Sequence, residues 1–357
     1  IYDTIYMSKI MIICCSCFKE CVFMLKEVQK NIYQLSMGMP ETRVKSINQI
    51  SVYIVKGEAD ERNLLIDTGI NQESCLKPIL AAYEELGISQ EDTDVFLTHM
   101  HSDHSGLIGR LKNENNRVII EEHEAELVKG MVDEAYWDLL YEKYKEEGLP
   151  MDHQEYRDSH PDGENYCEEL PEISCIKEGD MLEYGGYRFK CILTPGHSPY
   201  HTCLYDEETK TMISGDVVLD DVIPILFIEP DFDDPLGAYL DSLDKLEKID
   251  IQHFIPGHGD INYDVNARIE EIREHYEEQF KWINKQLAEH GCMNSWELAD
   301  LLIQHDFKRS IDTVSAVSRW FFFLPICACV RYMSANGMIT CTVSGNGVRY
   351  YDILQEK

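Results

Sequence analysis

The reading of this chain turns on Thr98-His99-Met100-His101-Ser102-Asp103-His104. Three imidazoles and a carboxylate fall within this one short run. His99 and His101 alternate, so a strand end or tight loop can aim both at one point. Asp103 and His104 follow at once and can aim at a second point nearby. Imidazole combined with carboxylate suits zinc, iron or manganese. The bland alternative is a polar loop that merely happens to be rich in histidine.

Three further stretches lie downstream. Cys191-Ile192-Leu193-Thr194-Pro195-Gly196-His197, Thr211-Met212-Ile213-Ser214-Gly215-Asp216 and His253-Phe254-Ile255-Pro256-Gly257-His258 are each an apolar run closing on a Gly or Pro turn. That is a strand-then-turn pattern. Any one alone is weak, since Pro-Gly-His is a common turn. Taken together and in order, they place His and Asp side chains along one rim of a sheet-based scaffold.

This ordered set resembles the metallo-β-lactamase-fold hydrolase superfamily. Its His-x-His-x-Asp-His motif is matched in full by His99, His101, Asp103 and His104, and its later motifs by His197, Asp216 and His258. The resemblance spans about residues 31 to 290. It implies an α/β fold, the αββα sandwich, and two divalent metal ions: Zn2+ first, with iron or manganese as alternatives. His99, His101 and His197 would hold the first ion, Asp103, His104 and His258 the second, and Asp216 would bridge them. Asp67 matches the family's early strand-end aspartate, which orients ligand imidazoles; by itself Asp67-Thr68-Gly69 also reads as a turn. Tyr200 and His201 are candidates for supporting the site or touching substrate. Two such metals, about 3.5–4 Å apart, would present a bridging hydroxide to a carbonyl carbon or a phosphorus, with Asp103 as a candidate catalytic proton acceptor. The commonest zinc β-lactamases carry Cys where Asp216 stands. The resemblance therefore points to the glyoxalase II, lactonase, phosphodiesterase and nuclease branches rather than to antibiotic hydrolysis.

Bulk properties narrow the choice. With 357 residues the chain can bury a large core and form more than one domain. Lys and Arg number 32 against 65 Asp and Glu, a formal charge of −33. Such a surface repels phosphate backbones and counts against a general nucleic-acid binder, although metals in a nuclease would supply local positive charge. Thirteen scattered cysteines read as reduced cytoplasmic thiols. The apolar run Phe321 to Val330 is too short to span a bilayer. Residues 1–23 carry Cys14, Cys17 and Cys21. A weak signal peptide or a cysteine metal or redox cluster are readings of this piece. The preferred one is an extension or disordered tail ahead of a functional start at Met24.

Residues 24–291 are expected to form the catalytic domain. Strands are expected over 31–35, 47–55, 63–67, 94–97, 181–193, 201–205 and 210–214, and helices over Gln72–Leu86, His104–Leu111, Leu236–Ile249 and Val265–His290. Residues 121–170 read as an acidic helical insertion, with 17 Asp and Glu against 4 Lys and Arg. Within it, Trp137, Leu140, Tyr141 and Tyr144 have helical spacing, and Pro150 to Pro171 reads as loop. His153, His160 and Asp162 read as solvated. A lid whose aromatic stripe faces substrate is the functional alternative; its acidity would disfavour anionic substrates.

Residues 292–357 read as a separate small domain. Asn294-Ser295-Trp296-Glu297 opens a helix. Ser310–Leu324 and Ile326–Ala335 read as two more, separated at Pro325. Ser344-Gly345-Asn346-Gly347 joins two strands into a hairpin. This winged-helix-like pattern resembles the C-terminal domain of the β-lactamase-like endoribonuclease branch. From 295 to 357, however, 6 basic residues meet 6 acidic ones, with no basic stripe. Arg331 and Arg349 read as phosphate contacts or, by preference, as part of a solvated face.

The leading reading is a dinuclear metal-dependent hydrolase, free of membranes, acting on a small-molecule thioester or lactone. Homodimerisation through the tail is an option. The chief alternative is a phosphodiesterase or endoribonuclease that holds nucleic acid with its tail. A binding protein without turnover and a di-iron redox protein are the others. Glyoxalase II binds glutathione through a basic helical tail, unlike the neutral one here.

Overall fold

The computed structural model describes residues 23–38, 49–58, 61–169, 171–261 and 263–354. The expectations for residues 1–22, including Cys14, Cys17 and Cys21, lie outside these. A seven-stranded sheet runs in sequence order: β1 (Phe23–Gln29), β2 (Ile32–Gly38), β3 (Gln49–Val55), β4 (Asn63–Ile66), β5 (Thr93–Phe96), β6 (Val118–Glu121) and β7 (Ile173–Ile176). Its first four strands are antiparallel and its last four parallel. A five-stranded sheet is built from β8 (Met181–Tyr184), β9 (Tyr187–Leu193), β10 (Thr202–Asp206), β11 (Thr211–Gly215) and β12 (His253–Pro256), in the order β12-β11-β10-β9-β8. The 181–193 run, expected as one strand, is a hairpin. Gly185 and Gly186 both take positive φ, 58° and 86°, and turn the chain back.

Side-chain alternation explains the layers. Tyr53, Ile66, Phe96, Ile213 and Ile255 point between the sheets into one apolar cluster, with Phe189 and Leu204. Their neighbours point outward: Ile54, Leu65 and Val95 to one outer core, Met212 and Phe254 to the other. Strands buried on both faces must be nearly all apolar, as these are. Helix α1 (Glu73–Leu86) covers the seven-stranded sheet through Ile79, Ala82 and Tyr83, and ends at Gly87 in the left-handed region. The short helices α2 (Ser102–Ser105) and α3 (Ile108–Leu111) follow β5. The insertion contributes α4 (Glu122–Gly130), α5 (Glu134–Glu146) and α6 (His153–Ser159). The last of these lies where a loop was expected, and Asp152 caps it. Helices α7 (Pro235–Leu246) and α8 (Val265–His290) cover the five-stranded sheet. The result is the expected αββα sandwich.

The tail holds α9 (Ser295–Phe307), α10 (Ala316–Ala335) and the hairpin β13 (Ile339–Val343) and β14 (Arg349–Ile353). The Asn294–Glu297 capping box forms as expected. The expected break at Pro325 does not. Proline removes one ladder hydrogen bond, but Phe323, Leu324, Ile326, Cys327 and Val330 around it are fully buried and hold the helix together. By length and composition this 20-residue helix would suffice to cross a membrane, as the shorter Phe321–Val330 run would not; more than half of it is buried in the core.

The tail does not keep a core of its own. One apolar cluster joins Trp137, Leu140 and Tyr144 of α5, Leu243 of α7, Ile272 of α8, Trp320 and Phe323 of α10, and Tyr351 of β14. The stripe on α5 is therefore core and does not face a substrate cleft. Beside it, the fully buried Glu147 carboxylate accepts from Arg331 Nε at 2.8 Å, Tyr351 Oη at 3.0 Å and Ser295 Oγ. Arg331 also pairs with Asp233 at 2.7 Å, and Arg349 with Glu146 at 3.2 Å. Arg331 is thus neither solvated nor presented to a phosphate, because its charge neutralises a buried carboxylate.

Removing one partner of a buried ion pair strands the other and typically costs about 3–5 kcal/mol. Glu147→Ala should lower stability by that order in urea titration, and the whole chain should unfold in one transition. A separate early transition confined to the tail would contradict the shared core.

Candidate metal centre

Each site side chain hangs from a strand's carboxyl end or the loop just after it, except Asp103 and His104, which sit in the short helix α2 that follows β5. Asp67 follows β4 with φ 60°, a left-handed backbone that Asp tolerates better than most residues. Its N–H donates to Phe96 O at 2.8 Å, which ties it to the next strand. Its carboxylate accepts Thr98 N–H at 2.8 Å, the Thr98 hydroxyl at 2.9 Å and His104 Nδ1 at 2.8 Å. One buried carboxylate thereby braces the whole His99–His104 loop.

The seven expected ligands converge. His101 Nδ1 and His197 Nε2 are 2.9 Å apart, and both lie within 4.8 Å of a ligating atom of His99. His104 Nε2 and His258 Nε2 are 3.3 Å apart, and Asp103 Oδ2 is 3.3 Å from His258 Nε2. Asp216 stands between the two sets, its Oδ2 3.7 Å from His197 Nε2, 3.5 Å from His104 Nε2 and 3.3 Å from His258 Nε2. Three groups of these residues have the geometry to hold a metal ion: His99, His101 and His197; His99, His104 and Asp216; Asp103, His104 and His258.

The outward nitrogens show how the rings are oriented. His99 Nδ1 meets the Thr98 hydroxyl at 2.9 Å, and that hydroxyl donates onward to Asp67. His197 Nδ1 donates to Ile225 O at 2.6 Å, and His258 Nδ1 to Gln49 O at 2.8 Å. With those protons spent outward, His99 and His197 turn Nε2 lone pairs inward, and His258 Nε2 faces the same centre. His99 Nε2 and Asp216 Oδ1 are buried with no hydrogen-bond partner among the described residues. Inward lone pairs, close nitrogen pairs and orphaned acceptors together fit divalent cations at the centre.

His201 supports the site rather than joining the ligand set. Its Nε2 accepts the Asp216 N–H at 3.1 Å while Nδ1 meets Thr194 Oγ1 at 2.8 Å. Tyr200 stacks on His123, with ring centroids 4.8 Å apart, and its N–H donates to Glu124.

The electrostatics divide the cluster. Burial holds His99 and His201 well below the usual histidine range and lowers His101 to about 4 and His197 to about 3. Burial also opposes charge on His258, but Asp216 and Asp103 outweigh it and carry that group up to about 10. Burial would likewise raise Asp103 and Asp216, yet the neighbouring His104 and His258 hold both below the usual carboxylate range.

Two buried acids escaped the sequence reading because they sit in the insertion taken as solvated. Glu124 of α4 accepts Met100 N–H at 2.8 Å and Tyr200 N–H at 2.9 Å, so it clamps the two histidine loops together. The signal was local: Glu124 shares a helix face with the buried Ala125 and Val128. Asp162 accepts Ser102 N–H at 2.8 Å and approaches His101. His160 is buried among Trp137, Trp320 and Phe227. Only His153 behaves as expected, half-exposed and paired with Asp138.

With the geometry in place, comparisons identify the class. The sequence model of the metallo-β-lactamase superfamily matches residues 47–258. The chain belongs to that superfamily. The crystal structure of a metallo-β-lactamase family protein from Thermus thermophilus superposes with a TM-score of 0.76 at 24% identity, covering 92% of this chain and all of that one. Among sequence relatives, the Beta-lactamase-like protein 2 homolog of Caenorhabditis elegans is 25% identical over 243 residues, 67% of this chain and 66% of that protein. Atrochrysone carboxyl ACP thioesterase AacuM of Aspergillus aculeatus is 27% identical over 221 residues, 61% of this chain and 53% of its own length.

Two measurements test this site. A Cβ on Gly257 would lie 2.4 Å from Asp216 Oδ1 and 2.9 Å from His104 Cε1. Gly257→Ala should therefore lower bound metal per chain, read by elemental analysis, with an unchanged circular dichroism spectrum. Burial, with Asp162 and Glu124 nearby, pushes the Glu229 carboxyl up to about 8, while Tyr136 donates to it at 2.5 Å. A raised folded pKa means that this group's stability contribution is full below the ordinary value of 4.5 and is lost as pH rises through about 8. Glu229→Gln should flatten the decline in urea midpoint across that window.

Proposed function

We propose that this protein is a hydrolase that cleaves small thioester or related ester substrates with two divalent ions, zinc in the first instance. The observation that carries the reading is the placement of Asp216. Its Oδ2 lies within 3.7 Å of imidazoles from both histidine sets. A carboxylate so placed can share two cations, which a single-ion site would not require. His99, His101 and His197 would hold one ion, and Asp103, His104 and His258 the other. Such a pair, when bound, acidifies water and polarises a substrate oxygen.

The chain's own residues do the rest. Asp67, Ile225 O and Gln49 O lock the tautomers of His104, His197 and His258, so that ligating nitrogens are ready without rearrangement. Asp103 is the more exposed of the two candidate ligand carboxylates, 21% against 8% for Asp216, and in this reading it would take a proton from attacking water. The hydrogen-bonded clamp of Glu124 holds the two loops at fixed separation while charge develops between them.

Substrate class rests on two supports. One relative of this chain is a thioesterase by name. Arg331 and Arg349, the tail cations that a nucleic-acid reading would use, are committed to Glu147 and Glu146.

The test is hydrolysis of an acyl thioester and a phosphodiester, side by side, by zinc-loaded protein. The thioester should turn over faster, and His101→Ala and Asp216→Ala should each abolish turnover and lose metal. Faster phosphodiester cleavage would overturn the substrate class. Full activity in either variant with unchanged metal would overturn the site.

A further inference from the structure

The outward nitrogen of His101 has been left without a partner, unlike those of the other four candidate ligand imidazoles. His99, His104, His197 and His258 each bond a hydroxyl, carboxylate or carbonyl through theirs, at 2.6–2.9 Å. His101 alone turns Nδ1 inward, toward His197, so its outward atom is Nε2. That atom is buried and has no hydrogen bond among the described residues. The group facing it is Asp162 Oδ2 at 3.9 Å. Phe227 packs against the same ring at 4.5 Å between centroids.

Resting on the metal reading above, we propose that Asp162 is the positioning residue of His101: its Oδ2 receives the Nε2–H and sets the ring's orientation. The separation is one small side-chain shift or one bridging water from a hydrogen bond. Both residues are nearly sealed from solvent, 4% and 5% exposed, so bulk water offers His101 little alternative. The carboxylate is already held at its other oxygen by Ser102 N–H.

The turn that presents Asp162 is itself braced. Asp162 N–H donates to His160 Nδ1 at 3.2 Å. Arg157 Nη1 donates to Gly163 O at 2.9 Å, and the Arg157 guanidinium lies 3.7 Å from the Trp137 ring centre. A Cβ at Gly163 would sit 2.2 Å from Arg157 O, so only glycine lets the turn close this tightly. From the tail, Trp320 Nε1 donates to Ser159 Oγ at 3.1 Å, and its ring packs on His160 at 5.1 Å. The acidic insertion thus carries a support for the metal centre, and the tail holds that support in place.

The test is stepwise Zn2+ titration of metal-free full-length protein, parent and Asp162→Asn, against a competing chelator. The asparagine oxygen still serves Ser102 N–H, but its NH2 then faces His101 Nε2–H, donor against donor. Affinity at the His99, His101 and His197 set should fall about 10–100-fold, the usual range for loss of an outer-shell partner. The other set and the metal-free melting temperature should hold. A residue that only braced the loop would move the melting temperature instead. Affinity within twofold of the parent would overturn the role. Should the variant misfold, nitrogen NMR of the zinc-loaded parent decides: a slowly exchanging His101 Nε2–H is expected, and rapid solvent exchange overturns it. If the parent itself takes up no zinc, the metal reading fails and this role with it; equal uptake by parent and variant removes only Asp162.

Discussion

Two imidazole nitrogens held 2.9 Å apart, with a second pair at 3.3 Å and a carboxylate between them, form the constraint on which this structure depends. Lone pairs crowded this closely repel, and a folded chain keeps them together only if the surrounding structure compels it or a cation rewards it. Here both apply. The strand ends fix where each residue can stand, and outward hydrogen bonds fix which way each ring faces. What remains unsatisfied points to one centre, which is the arrangement a divalent ion needs.

The two sheets supply the stiffness. Strands β4, β5, β11 and β12 bury both faces, so a shift of one residue would turn apolar side chains from one core into another. Their register is therefore strongly specified, and so is the height at which Asp67, His99, Asp216 and His258 emerge. Glycine is needed where the backbone itself must approach: a Cβ at Gly257 would press on Asp216, and one at Gly215 would lie 2.6 Å from His201 Nε2.

The insertion and the tail form one buttress on the same side of the molecule. Their shared core, the Glu147–Arg331 pair and the Trp320–Ser159 bond commit Trp320, Phe323, Tyr351 and Arg331 of the tail inward. Glu124, Glu229 and Asp162 add buried carboxyl groups around the histidine loops, and burial pushes the pKa of each one up.

The seven converging residues, Asp67 and the sandwich could be read from the chain itself, because a ligand motif and a two-faced apolar strand are local patterns. The same held for α1, α8 and the Asn294 capping box, whose ends carry their own stop and start residues. Tertiary structure decided what local pattern could not. Pro325 sits inside a continuous helix because burial of its neighbours outweighs one lost hydrogen bond. Arg331 faces Glu147 across 184 residues of sequence. Asp162 and Glu124 look like ordinary surface acids until the fold brings them against Ser102, Met100 and Tyr200. The physical reason is common to all of these. Whether a charge is solvated or buried depends on which distant segment covers it, and a sequence carries that information only through the whole packed chain.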